Sequence, residues 1–128
     1  MKKIKLSGKV FSGQGRGEKF LELPWVKRQI KAKLGFTPYN GTLNIKLSEE
    51  SAKRRKLLEK ATSMKICPPK GFCSGTVVKA SIGALDCVIV IPEVVGYPED
   101  VLEIIAPANL REMLQLEDGD EITVTVNL

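Results

Sequence analysis

Short runs in which apolar and polar residues alternate with a period of two recur along this chain, and they limit what it can fold into. Ile4-Lys5-Leu6-Ser7-Gly8-Lys9-Val10-Phe11, Thr42-Leu43-Asn44-Ile45-Lys46-Leu47 and Glu121-Ile122-Thr123-Val124-Thr125-Val126 each place one set of side chains on a buried face and the other toward solvent. Two β-branched runs, Thr76 to Ile82 and Leu85 to Ile91, flank Gly83-Ala84 and read as a hairpin, and Val101 to Ile105 adds a further short strand. No βαβ repeat and no internal repeat accompanies them, which disfavours a Rossmann fold. A mainly β, small closed barrel with short rim helices satisfies the pattern, because closure removes the exposed edges that an open sheet must protect.

The helical signals are brief. Pro24 suits a first helical position, Val26, Ile30 and Leu34 recur every four residues, and Gly35 supplies a stop. Ser48 can cap a basic helix ending near Lys60. Pro107 is expected to start a helix over Ala108 to Leu114, followed by a turn at Glu117-Asp118-Gly119-Asp120.

At 128 residues, 43% of them apolar, the chain has room for one core and is too apolar to be disordered. No apolar run approaches the ~18 to 20 residues needed to cross a bilayer, and Met1-Lys2-Lys3 is not followed by a signal-peptide pattern. A cytoplasmic location is expected. Cys67, Cys73 and Cys87 match neither Cys-x-x-Cys nor a common zinc spacing, so Cys87 is expected to be a buried apolar residue and the other two reduced thiols. The chain has no histidine, which excludes imidazole bases and both Ser-His-Asp and Cys-His nucleophile activation. Chemistry here must rest on carboxylates, metal or positioning.

Charge is unevenly placed: residues 1–60 carry a net +11 and residues 61–128 a net −6. A basic half suits the phosphates of a nucleotide or of nucleic acid, and it also suits a merely solvated lysine-rich surface.

Three constellations could carry chemistry. In Ser12-Gly13-Gln14-Gly15-Arg16-Gly17-Glu18-Lys19, glycines allow successive amides to cradle an anion, and Arg16 and Lys19 add charge; no Gly-Lys-Ser/Thr follows, so this is not a Walker loop. In Gly41-Thr42-Leu43-Asn44, the Thr42 hydroxyl and the Asn44 amide oxygen share a strand face and both suit a hard cation such as magnesium. In Glu103-Ile104-Ile105-Ala106-Pro107-Ala108-Asn109-Leu110-Arg111-Glu112, a strand end passes into a helix start that favours phosphate, with Arg111 to reinforce it and Glu103 to accept from a hydroxyl. Each segment alone reads more readily as a plain loop, an ordinary strand or a helix cap.

Taken in order, these segments resemble the archaeal CTP-dependent riboflavin kinase family over nearly the whole chain. The resemblance is carried by Gly8-Lys9-Val10, Ser12 to Gly17, Phe20-Leu21 with Leu23-Pro24, Leu34-Gly35-Phe36-Thr37-Pro38-Tyr39-Asn40-Gly41-Thr42-Leu43-Asn44, and Glu103 to Pro107 with Leu110-Arg111-Glu112. It implies a six-stranded cradle-loop barrel that phosphorylates riboflavin to FMN with CTP, as one domain over residues 1–128 without an N-terminal winged-helix domain. Carried over, the nucleotide-binding positions are Gln14, Gly15, Arg16, Gly17, Glu18, Lys19, Ala108, Asn109, Leu110 and Arg111, and the magnesium ligands are Thr42 and Asn44. Glu103 is the flavin-contacting and candidate catalytic glutamate, while Val95 stands where the family has a flavin-contacting threonine. The implied ligands are riboflavin or FMN and CTP or CDP, with Mg2+ as cofactor, no nucleic acid and no membrane, in a monomer.

The competing class is a swapped-hairpin DNA-binding barrel, consistent with a calculated pI near 9.2. It predicts dimers and salt-dependent duplex binding. A non-catalytic flavin or nucleotide carrier is a third reading. The paired oxygens of Thr42 and Asn44 favour the kinase, since a DNA-binding barrel has no need of them.

Overall fold

The alternating runs all form strands, and their parity decides what lies inside. A computed structural model describes residues 2–12, 21–39, 41–67, 75–93 and 96–128. Its strands are β1 (Lys3–Phe11), β2 (Leu43–Leu47), β3 (Ser63–Ile66), β4 (Gly75–Ile82), β5 (Leu85–Pro92), β6 (Val101–Ile105) and β7 (Glu121–Asn127). Every pairing is antiparallel, in the order β3-β4-β5-β6-β2-β1-β7. Contact of Ser81 with Thr125 joins β4 to β7 and closes six of the strands into a barrel. The hairpin turns where expected, with Ile82 opposite Leu85.

β3 was not foreseen. Ser63 to Ile66 is too short to show alternation, and it becomes a strand by taking the part of the β4 edge that β7 leaves open.

One face of each strand fills the barrel: Leu6 and Val10 of β1, Leu43 and Ile45 of β2, Ile89 of β5, Leu102 and Ile104 of β6, and Val124 and Val126 of β7 are buried in one cluster. At Gly8 the neighbouring strand approaches so closely that a Cβ would lie 2.2 Å from the Lys46 carbonyl oxygen. Only glycine fits there.

A second apolar layer lies on the outer face. Val77, Val88, Val90 and Ile105 point away from the barrel interior and are covered by Leu21, Val26 and Ile30. The last two belong to α1 (Pro24–Leu34), which starts at Pro24 and stops at Gly35 (φ 80°), whose N–H reaches the Lys31 carbonyl. The Gln29 side chain ties α1 to the end of β3 by bonding both backbone groups of Cys67.

Ser48 caps α2 (Glu49–Arg54) by accepting from Ser51 N–H at 3.2 Å. The helix expected to reach Lys60 instead tightens into a 3-10 turn over Arg55–Lys60. α3 (Leu110–Leu114) also departs from expectation: it begins two residues beyond Ala108, because the Asn109 side chain caps it and Pro107 lies outside.

Cys87 is the buried free thiol anticipated, its pKa pushed up from 9.0 to about 12 by burial and then by Asp86. Cys67 is disulfide-bonded, which corrects the reading of it as a reduced thiol. Spacing along the chain did not reveal that pairing, since a disulfide depends on which segments meet in space. Cys73 lies outside the described residues. Among the described residues, no helix is long and apolar enough to cross a membrane.

Candidate active site

Because Leu43, Ile45 and Leu47 face the barrel interior, Asn44 must face outward, and so must its partner on β6. That partner is Glu103: Asn44 and Glu103 are directly opposed in the β2–β6 ladder, and Val90 flanks Glu103 on the other side. Directly opposed residues have Cβ atoms about 4.5 to 5.5 Å apart, so an amide oxygen and a carboxylate share one patch. Thr42 lies beside them, its hydroxyl 3.5 Å from Asn44 Oδ1. Glu103 is buried to 7% exposure, unusual for a glutamate.

Among the described residues, no three His, Cys, Asp or Glu side chains cluster to hold a metal. Two neutral oxygens with a carboxylate across the ladder nevertheless suit magnesium, which takes few protein ligands and fills its shell with water and phosphate.

Tyr97 and Arg55 stand behind Glu103. The Tyr97 hydroxyl is buried, and its pKa is held above the ordinary tyrosine value by burial and by the Glu103 carboxylate, against the opposing pull of Arg55. The Arg55 guanidinium lies 5.9 Å from the Tyr97 ring centroid, within cation–π range.

The third constellation meets the second. Tyr39 N–H donates to the Ala106 carbonyl at 2.9 Å, and Asn109 Nδ2 donates to the Tyr39 hydroxyl at 3.3 Å. Asn109 Oδ1 in turn accepts from Glu112 N–H at 3.3 Å. Tyr39, Gly41, Thr42, Ala108, Asn109 and Arg111 thereby line one cavity of about 130 Å³. Ligand pockets usually measure about 300 to 1,000 Å³, so this space accepts one end of a ligand. Larger cavities of about 440 and 570 Å³ lie elsewhere, and neither is lined by Thr42, Asn44 or Glu103.

Arg111 spans to the end of β1. It donates to the Phe11 carbonyl at 3.1 Å and to Asp118 Oδ1 at 2.7 Å, and the Ser12 hydroxyl reaches the same carboxylate at 2.9 and 3.1 Å. Arg111 and then Ser12 hold the Asp118 carboxyl below the usual range.

Of the positions singled out in the sequence, Thr42, Ala108, Asn109, Leu110 and Arg111 meet at the cavity, and Asn44 with Glu103 lies beside Thr42. Leu110 is also packed with the barrel core. Gln14, Gly15, Arg16, Gly17, Glu18, Lys19 and Val95 lie outside the described residues. Sequence reasoning missed Tyr39, Arg55, Tyr97 and Asp118 as parts of the surroundings. Tyr39 stood only within a segment that carries the resemblance and Asp118 only in a turn, neither with a site role.

A family labelled CTP-dep_RFKase and described as domain of unknown function DUF120 matches residues 10–126. Archaeal proteins named riboflavin kinase are similar over nearly the whole chain. The one from Methanosarcina barkeri is 37% identical over 94% of this chain and 56% of its own length. That from Pyrobaculum islandicum is 40% identical over 98% of this chain and 61% of its own. That from Archaeoglobus fulgidus is 37% identical over 98% of this chain and 55% of its own. The chain thus spans little more than half the length of these relatives.

Proposed function

The chain belongs to the CTP-dependent riboflavin kinase family, and from that premise we propose that it transfers the γ-phosphoryl group of CTP to the terminal ribityl hydroxyl of riboflavin, giving FMN and CDP. The observation that best supports this is the opposition of Asn44 and Glu103, with Thr42 beside them and itself lining the cavity shared with Ala108, Asn109 and Arg111. Through Thr42 it joins a magnesium-type oxygen pair and a buried carboxylate to a nucleotide-side segment.

In-line phosphoryl transfer depends on positioning and charge neutralisation more than on covalent help. Glu103 accepts the hydrogen bond of the attacking hydroxyl and orients it. As the new O–P bond forms and the bond to CDP breaks, the hydroxyl proton passes to that carboxylate or to water. Burial of Glu103 excludes competing water from the carboxylate, which strengthens the contact. Arg111 and the backbone near Ala108 and Asn109 bind the nucleotide side, together with residues 14–19. Magnesium held by the Thr42 hydroxyl and the Asn44 amide oxygen would neutralise the charge of the phosphate oxygens.

The test is FMN formation from riboflavin with magnesium, comparing CTP with ATP at equal concentration. FMN with CTP and little with ATP is the expected result. No FMN with any nucleotide would overturn the reading and leave the two binding readings, the DNA-binding barrel and the non-catalytic carrier, to be separated by a salt-dependent DNA titration.

A further inference from the structure

The Glu117 to Asp120 turn is built without the help of one of its own side chains. Asp120 Oδ2 accepts from Glu117 N–H at 2.8 Å, and Asp120 N–H donates to the Glu117 carbonyl at 3.1 Å. Gly119, at φ 92°, supplies the left-handed step. The turn is stitched to β1 by Gly119 N–H to the Val10 carbonyl at 2.8 Å and by Val10 N–H to the Asp120 carbonyl at 2.9 Å. None of these bonds uses the Asp118 carboxylate. It points out of the turn and takes three short contacts, two from Ser12 Oγ and one from Arg111.

Those two donors are far apart in sequence. Ser12 is the last residue before the glycine-rich stretch beginning at Gly13, and Arg111 closes the second segment, Ala108 to Arg111, that the proposed function assigns to the nucleotide. Arg111 reaches the Phe11 carbonyl as well, so both of its restraints lie at the base of that stretch. The side chains of Asp118 and Arg111 are 56% and 35% exposed. Exposed ion pairs contribute little to folding stability because water screens them and ordering two side chains costs entropy. What such a carboxylate can do is hold two other groups in place.

We propose that Asp118 is a positioning residue for the donor nucleotide, holding Ser12 at the start of the glycine-rich stretch and Arg111 at the start of α3 in the relative geometry that a triphosphate needs. This rests on the nucleotide reading above. It assigns Asp118 no contact with the reacting atoms. An arginine already oriented loses less rotamer freedom when a phosphate binds, so the effect belongs in nucleotide affinity.

The experiment measures KM for CTP, KM for riboflavin, kcat and the melting temperature for wild type, Asp118→Ala, Asp118→Asn and Ser12→Ala. Asp118→Ala should raise KM for CTP about ten-fold, as expected for losing a charged hydrogen-bond acceptor. Its riboflavin KM and kcat should stay within about two-fold of wild type. Asp118→Asn, which keeps one acceptor oxygen, should fall between Asp118→Ala and wild type, and Ser12→Ala should show a smaller rise in the same constant. An unchanged KM for CTP in Asp118→Ala overturns the proposal. So does a lowered melting temperature with both KM values and kcat altered together, which marks a structural role. Wild type that makes no FMN from CTP overturns the kinase reading and the proposal with it, whereas active wild type with an unaltered variant overturns the proposal alone.

Discussion

Asn44 and Glu103 face each other directly across β2 and β6, on the outer face of the barrel. That register makes one patch of residues 59 positions apart in the chain, and it divides their roles. On the proposed reading Asn44 is a metal ligand, so Asn44→Ala should lower turnover at least about 100-fold, since even outer partners of a metal site typically cost 10- to 100-fold. Glu103→Gln keeps the shape but cannot take a proton, and kcat should fall by about 10²- to 10⁴-fold with KM for CTP largely kept. Steady-state kinetics on folded protein checks both; wild-type turnover in either variant removes that residue from the mechanism.

Stability should fall in alkali. The folded-state pKa of Cys87 is raised from 9.0 to about 12, so the folded protein keeps a proton that the unfolded chain releases. The associated stability is therefore fully present below pH 9 and is lost as pH rises from 9 toward 12, at about 1.4 kcal/mol per pH unit at most. Tyr97, also shifted upward, adds to the loss above pH 10, the ordinary tyrosine value. Urea unfolding between pH 7 and 11 should show this decline, and Cys87→Ala should flatten it. Equal slopes in variant and wild type would sink the assignment.

Gly8→Ala should be destabilising out of proportion to its size. The added methyl would meet the Lys46 carbonyl oxygen at 2.2 Å and Ile45 Cγ2 at 2.7 Å, and neither the backbone oxygen nor the buried isoleucine can yield freely. Overpacking of this kind costs about 1 to 3 kcal/mol. It also pushes on the strand that carries Asn44, so activity should fall with the melting temperature. A melting temperature equal to wild type would show that β1 and β2 can separate at little cost.

Ser51→Ala tests how firmly α2 is tied to the barrel. Ser51 is 1% exposed, and its hydroxyl accepts from Ser7 N–H at 2.8 Å, tying α2 to β1. Removing it leaves a backbone donor without that acceptor, at a cost of about 1 to 3 kcal/mol. Chemical denaturation should show the loss with kcat unchanged, while unaltered stability would mean that water replaces the hydroxyl.

How far the sequence could be read depends on the range of the forces involved. The alternation in Leu43 to Leu47, Ser48 as a cap and Gly35 as a helix stop are decided within a few residues, by side-chain parity and backbone sterics, and all three hold in the structure. β3 and the start of α3 were misread because a longer-range fact settles each. Ser63 to Ile66 needs the free edge of β4 to be a strand at all, and Asn109 takes the cap position while its other amide atom bonds Tyr39, seventy residues away.

The site divides in the same way. Thr42 with Asn44, the acidic residue before Pro107 and the arginine after it offer suitable groups by residue type, but it is the resemblance that singles them out from an ordinary strand and helix cap. Which of them meet was decided by barrel closure: the β2–β6 register opposes Asn44 to Glu103, and the β1–β7 turn brings Asp118 to Ser12 and Arg111. The sequence by itself determined six of the seven described strands, the inward faces of the alternating ones and the kinds of side chain on offer, since a period-two pattern is a local property. The tertiary structure alone decided their partners, since hydrogen-bond register and ring closure bring together residues that no local pattern relates.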